Sequence, residues 1–445
     1  MWAAASAAAQ TTRPERPYRG LFAGGVDDAE QLLTVRFSAS GGYDDTLATS
    51  GSQGEVLSGP TDPREARKGS YGQAAGGVAY RLNGTRAGIG ASGSTTQRRF
   101  STVGGSVLGT YAGDVSAWFQ VARRTRLTAS ESYSFQPFLS YGLFPQPNDA
   151  GGQPNEPVDL PRGEPVDPSA PGFDLASGSA RQRRHSGSAS LTQSLSPRTS
   201  VSLGAAYDNA RASLDAGNVS SYSGDGRLSL QVRQGVGVHV GYGYREGQYG
   251  SQSPHAPSIA RSLDVGLDYN RPLSFSRRTK FAFSTGSTSV QESTRTVYRL
   301  TGNARLSYEF QRTWNAALAY NRDAGFLQNL RRPVFADALS LSIAGQASRR
   351  VQVSTSLGAA LGSVGLIDTT RSNGYNTFFG TSALTFGVSR YAALDVGYSY
   401  YHYAFERGVQ LPQTTGRQLN RQSVQAAVKL WLPIEHRSRR PHAAR

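Results

Sequence analysis

The residues of this chain whose types could do chemistry are charges set at every second position of otherwise apolar stretches. Arg36, Arg81, Arg227, Arg245, Arg299 and Arg305, with Arg86 and Lys429, alternate with apolar neighbours, and so do Asp264, Asp268 and Glu309, with Asp114, Asp208 and Asp395. Extended backbone sends successive side chains to opposite faces, so these charges share one face with many Ser, Thr, Asn and Gln. Such a face suits water. It reads either as a ladder of structural wall contacts or as a polar conduit whose charges tune passage of an anionic or polyhydroxylated solute. Tyr401 and Tyr403 fall on the same face of an aromatic-dense stretch, where they either stack on sugar rings or fill space beneath a loop. Catalysis has no foothold. The six His residues are scattered, none pair at metal-ligand spacing on one face, and no Gly-x-Ser-x-Gly, His-Glu-x-x-His or phosphate-binding loop occurs. The absence of Cys removes disulfides, thiolate metal sites and a Cys nucleophile. No cofactor and no metal site is expected.

The elements that must carry these charges are strands of about ten residues. From Gly235 the chain places Val236, Val238, Val240, Tyr242 and Tyr244 on one face, and Gly237, His239, Gly241, Gly243 and Arg245 on the other. The first suits lipid. On this phase Val238→Arg is costly and the neighbouring His239→Arg is mild. Eight short turns, most of them marked by arginine, separate such stretches: Asn83 to Arg86, Arg123 to Arg126, Ser196 to Thr199, Arg233 to Gly235, Ser276 to Thr279, Gln311 to Thr313, Ser348 to Arg350 and Ser389 to Tyr391. The unit is strand, long loop, strand, tight turn. Sixteen strands follow from the turns, with one more at about 30–39 and another at about 418–432. The expectation is an all-β, single transmembrane antiparallel up-and-down barrel of about 18 strands, with 16 as the alternative. An even count puts both termini on the tight-turn side, the periplasmic side of a bacterial outer-membrane barrel. Tyr242, Tyr244, Tyr298, Phe310, Trp314, Tyr398 and Tyr400 read as interfacial girdle residues.

Bulk composition agrees, since a barrel spreads its apolar residues over alternate positions while pairing all of its backbone. Mean hydropathy is −0.44, and no run of eighteen apolar residues offers a spanning helix. The net charge of +16 is largely an interfacial belt, because the tight turns and a short basic tail hold most of the excess arginine. A basic helix or stacked-aromatic groove for nucleic acid is missing. Residues 1–9 look like the remnant of a signal peptide, 10–29 an N-terminal periplasmic segment too short for a plug domain, 30–434 the barrel and 435–445 a basic tail. Long outer loops are expected at about 40–73 and 137–184. The second is rich in proline and carries Asp149, Glu156, Asp159, Glu164, Asp167 and Asp174, so it either folds inward as a constriction or lies on the surface.

The segments Leu273 to Thr279, Arg312 to Tyr320, Pro333 to Asp337 and Leu430 to Pro433 resemble an uncharacterised family of outer-membrane β-barrel proteins, similar to barrels associated with bacterial exopolysaccharide export. The resemblance covers most of the chain from about residue 70, and its motifs specify a barrel better than a cargo. It implies an outer-membrane pore for polar solutes, with polysaccharide export as one cargo. Outer-membrane lipids, the barrel-assembly machinery and periplasmic components of an export system are the implied partners. The chain departs from the pattern of many such barrels in continuing past Trp431-Leu432-Pro433 rather than ending on Phe, which touches the assembly signal. A barrel acting in surface binding, adhesion or envelope structure is the rival reading.

Overall fold

The structure is a computed structural model, and it describes residues 29–47, 67–101, 107–136, 181–212, 218–250, 257–269, 271–273, 276–292, 295–310, 313–325, 333–365, 373–409 and 417–438. Nineteen strand segments occupy them. In chain order they are β1 (Ala29–Leu47), β2 (Arg67–Asn83), β3 (Ala87–Phe100), β4 (Val107–Ala122), β5 (Thr125–Gln136), β6 (Gln182–Ser194), β7 (Thr199–Ala212), β8 (Val219–Arg233), β9 (Val236–Tyr249) and β10 (Ser258–Tyr269). There follow β11 (Arg271–Leu273), β12 (Ser276–Glu292), β13 (Arg295–Phe310), β14 (Trp314–Gly325), β15 (Val334–Gln346), β16 (Val351–Val364), β17 (Gly374–Gly387), β18 (Ala392–Phe405) and β19 (Gln418–Ser438).

Apart from β10 and β11, each segment pairs antiparallel with its sequence neighbours, and β1 pairs with β19 from Ala29↔Ser438 to Asp44↔Ser423, which closes the sheet. Segments β10 and β11 share one place in the ring, since both pair with β12. The result is a closed 18-strand antiparallel barrel. Closure leaves no edge strand, which is what lets a sheet sit in hydrocarbon.

Period-2 alternation sets which side chains look out. Phe37, Val115, Phe119, Leu228, Val240, Leu263, Leu394 and Val428 are each about half exposed on the outer surface, while their chain neighbours Arg36, Ser116, Arg227, His239, Asp264 and Asp395 turn inward. A soluble sheet would bury those apolar side chains; here they form a continuous apolar jacket for lipid. Near the tight-turn end the outward rings stack, with Tyr308 to Phe310 at 5.8 Å and Phe310 to Trp314 at 5.6 Å between centroids. These are rings suited to the interface.

The strands run longer than the apolar alternation alone suggests. Strand β1 continues through Ser40, Gly41, Gly42, Tyr43 and Asp44 to Leu47, β2 starts at Arg67, and β19 reaches Ser438. Polar residues extend a strand as well as apolar ones when both edges are already paired, as Gly42 is with Tyr71 and with Gln425. One turn also shifts. Ser276 to Thr279 lies within β12, and the chain reverses just before it, where Leu273 pairs with Ser276 across a register irregularity. The β8–β9 turn depends on Gly235, whose φ of 73° is a left-handed conformation. Residues 1–28 and 137–180, with Asp149, Glu156, Asp159, Glu164, Asp167 and Asp174, lie outside the described residues.

A closed barrel predicts heat-modifiable migration, the folded and boiled protein running differently on a gel; a single band unaffected by boiling contradicts it. Val238, 40% exposed on the outer face, should cost about 2–4 kcal/mol when changed to Arg near mid-strand, read as a lowered urea midpoint in lipid vesicles.

Candidate functional site: the inner wall of the barrel

Most charges that alternation assigned to one face do line the inside. Arg36, Arg227, Arg245 and Arg299 are half-buried there, Arg81 is buried, and Arg305 and Glu309 are exposed on the inward side of β13. Asp264 also turns inward. Asp268 sits opposite Gly237 in the register, and its side chain lies outside the described residues. Two arginines depart from expectation. Arg86, counted both with the wall charges and in the first tight turn, is exposed in the β2–β3 turn, because the strand has ended before it. Arg126, expected in the turn belt, belongs to β5 and lies over the Trp118 ring at 4.7 Å.

Many inward groups are held by their neighbours. His239 on β9 is 2% exposed. Arg227 of β8 donates to its Nδ1 at 2.6 Å, and its Nε2 lies 2.8 Å from Asp264 of β10. An arginine can only donate, so Nδ1 is the accepting nitrogen and the carboxylate lies beside Nε2. The Cε1–Nε2 edge of the ring abuts Gly266, where any Cβ would collide with it. The expectation that His239 tolerates Arg therefore fails: the position faces inward as expected but has no free volume. Elsewhere Asp395 accepts from Thr385 at 2.6 Å and from Lys429 at 3.2 Å, Asp208 pairs with Arg184 at 2.6 Å, and Ser92 donates to Asp114. Hydroxyl pairs Thr128–Ser190, Ser130–Ser188 and Ser132–Ser186 step along β5 and β6.

Alternation missed a second cluster nearer the long-loop end. Asp44 of β1 is fully buried and accepts from Arg421 of β19 through both oxygens, with Nε contacts of 3.1 and 3.0 Å. Beside them the Tyr71 ring lies across Gly42, where a Cβ would sit 2.5 Å from it, and its hydroxyl reaches Gln425 at 3.4 Å. Arg98 of β3 stacks on that ring at 4.5 Å and donates to Gln73 at 2.8 Å. The signal was present in the sequence, since Arg421, Ser423, Gln425, Ala427 and Lys429 keep one parity, but Asp44 sat where the apolar half of the pattern had already lapsed.

Toward the long-loop end the inner wall becomes apolar. Tyr375, Tyr403, Phe405 and Val409 pack with Val334 and Val364 into one buried cluster, against which Ala212 of β7 and Leu419 also rest. Tyr401 packs on Phe379. Tyr401 and Tyr403 are thus 7% and 1% exposed and present no open ring face to a sugar; of the two roles alternation allowed them, the structure shows space-filling. A second cluster joins Ala260, Val290, Ala324 and Phe335, with Val297 packed on it.

His239→Arg is expected to destabilise the barrel by about 1–3 kcal/mol, because it sets a second cation beside Arg227 in a filled slot. Asp44→Asn should cost about 3 kcal/mol by removing the carboxylate from a buried pair, with the Asp44→Asn/Arg421→Gln double variant recovering part of the loss. Urea unfolding in vesicles reads both.

No protein-family model matches the chain, and no match is found among curated proteins. Among solved structures, the chain is similar to OccK2 (OpdF) of Pseudomonas aeruginosa, in a crystal structure with glucuronate, at 10% identity and a TM-score of 0.44, covering 91% of this chain and 99% of that one. OpdQ of the same organism gives 10% identity, a TM-score of 0.42 and coverage of 91% and 98%. The siderophore receptor PirA of Acinetobacter baumannii gives 10%, 0.43, and 91% and 81%. With overlaps this loose, the assignment of an 18-strand barrel rests on this chain's own strand pairing.

Proposed function

We propose that this barrel is a channel of the bacterial outer membrane for small polar solutes, with both termini on the periplasmic side. The observation that carries the reading is the division of the wall: an apolar jacket outside, and inside an array of guanidinium, carboxylate and hydroxyl groups on strands that close completely. Arg305 and Glu309 on β13, and Arg184 on β6, remain exposed on that inner face, so it offers hydrogen-bonding partners to a hydrated solute. An 18-strand ring is wide enough for such a lumen to hold water.

The polysaccharide-export role implied by the resemblance gains nothing from the wall, because the inward rings that would stack on sugars are packed into apolar clusters. The rival reading, a barrel serving surface binding or envelope structure, is favoured by one feature: the apolar packing across the long-loop end. Planar-bilayer recording separates the two. A channel gives discrete current steps in potassium chloride from refolded, heat-modifiable protein; a barrel that inserts and stays silent under all voltages supports the structural reading.

A further inference from the structure

We propose that the long-loop end of the β14–β15 hairpin is the channel's barrier, a flap tucked inside the barrel that swings at a seam between β13 and β14. The proposal rests on the channel reading and names the element that would control it.

The seam is visible in the register. Strands β13 and β14 pair from Phe310↔Trp314 to Gly302↔Arg322 and no further, although β13 continues back to Arg295 on its pairing with β12, and β14 runs on to Gly325 with β15. Nine register pairs rise roughly 23 Å on a strand tilted about 40°, close to the height of an outer-membrane apolar band. Lipid-exposed unpaired edges do not occur within hydrocarbon, and the wall parts at about the level where that prohibition ends.

Above the seam, β14 and β15 lean inward. Ala324 and Phe335 are cross-strand partners on the hairpin face that lower down carries Leu318 and Leu339 to the outer surface. Here the same face packs on the inward side of other strands, against the row Ala260–Val290 of β10 and β12, with Val297 of β13 beside it. Arg245 on β9 donates to the Ala324 carbonyl at 3.1 Å. Three strand positions separate β9 from β14 around the ring, farther than an arginine reaches along the wall, so the hairpin end must lean into the lumen over β10 to β13 to meet it. Its opposite face, Val334 with Ala336, continues the inner wall of β16 to β18, because β15 stays paired with β16 up to Val334↔Val364. The flap thus stays laddered to β16 on one side and is sealed by apolar contact against the inner wall of β10 to β13 on the other.

The flap's β14 edge is free of the β13 ladder. Among the described residues, that side is held by the seat of Phe335, with Arg299 and Arg322 over its ring at 5.6 and 5.2 Å, and by the Arg245 donor. Swinging back toward β13 breaks no β13–β14 backbone bond above Gly302, and β13 from Arg295 onward offers the edge it would rejoin.

The chain has no Cys, so an engineered pair reports cleanly. Val297→Cys with Ala324→Cys, bridged by a short bis-methanethiosulfonate linker that reductant removes, pins the flap to the wall. Single-channel recording should show current suppressed in the bridged protein and restored by reductant, and Phe335→Ala alone should raise open time or conductance several-fold over the wild type. Heat-modifiable migration verifies that each variant is folded. A Phe335→Ala variant that conducts like the wild type, or a current indifferent to the bridge, overturns the flap while leaving the channel intact. If neither wild type nor Phe335→Ala passes current, the channel reading falls with it.

Discussion

Everything in this molecule follows from the requirement that no backbone amide or carbonyl face hydrocarbon unpaired. A strand set in lipid must find a partner on both edges, and the first and last strands can do so only with each other. The long β1–β19 ladder meets that condition. Once the ring is closed, alternation has a single consequence at each residue: lipid on one side, lumen on the other. The same constraint dictates where the ring may open. The β13–β14 ladder persists for its nine pairs and fails only beyond them, where a hairpin edge is allowed to turn inward.

Closing the ring creates a second problem, because the inner face crowds polar groups into a restricted space. The chain answers with short-range matching across strands. His239 is held between Arg227 and Asp264, Asp395 between Thr385 and Lys429, and Asp44 by the fork of Arg421. Glycine makes two of these contacts feasible by leaving room for a ring: Tyr71 at Gly42 and His239 at Gly266. Polar groups matched this way stiffen the inner wall. Toward the long-loop end the matching changes character. Aromatic and aliphatic side chains replace the charges, and what they seat is the end of a hairpin rather than a solute.

That change explains how far the sequence could be read. Arg81, Arg227, Arg245, Arg299 and Asp264 were legible as inward residues because each has apolar neighbours at both adjacent positions or sits in a clean run, and strand geometry converts parity directly into facing. The fully buried state of His239 was not legible, because parity gives direction and says nothing about how much space remains. The same limit applied to Tyr401 and Tyr403, whose direction was clear and whose availability was not. Asp44 escaped notice because the apolar half of its strand had ended, and only pairing on both edges kept the strand going.

Sequence alone therefore determined the architecture: eight arginine-marked turns, two-residue periodicity and the absence of an apolar helix admit a closed antiparallel barrel of about eighteen strands. It determined the facing of most wall residues as well, since a period of exactly two leaves no third option. Tertiary structure decided what lies inside. That Ala212 of β7 rests on the β15–β18 cluster, and that Phe335 of β15 packs on Val290 of β12 and Ala260 of β10, depend on contacts between strands that are not neighbours around the ring. Local pattern fixes a strand and its two neighbours; only closure in three dimensions sets what faces a residue from the opposite wall.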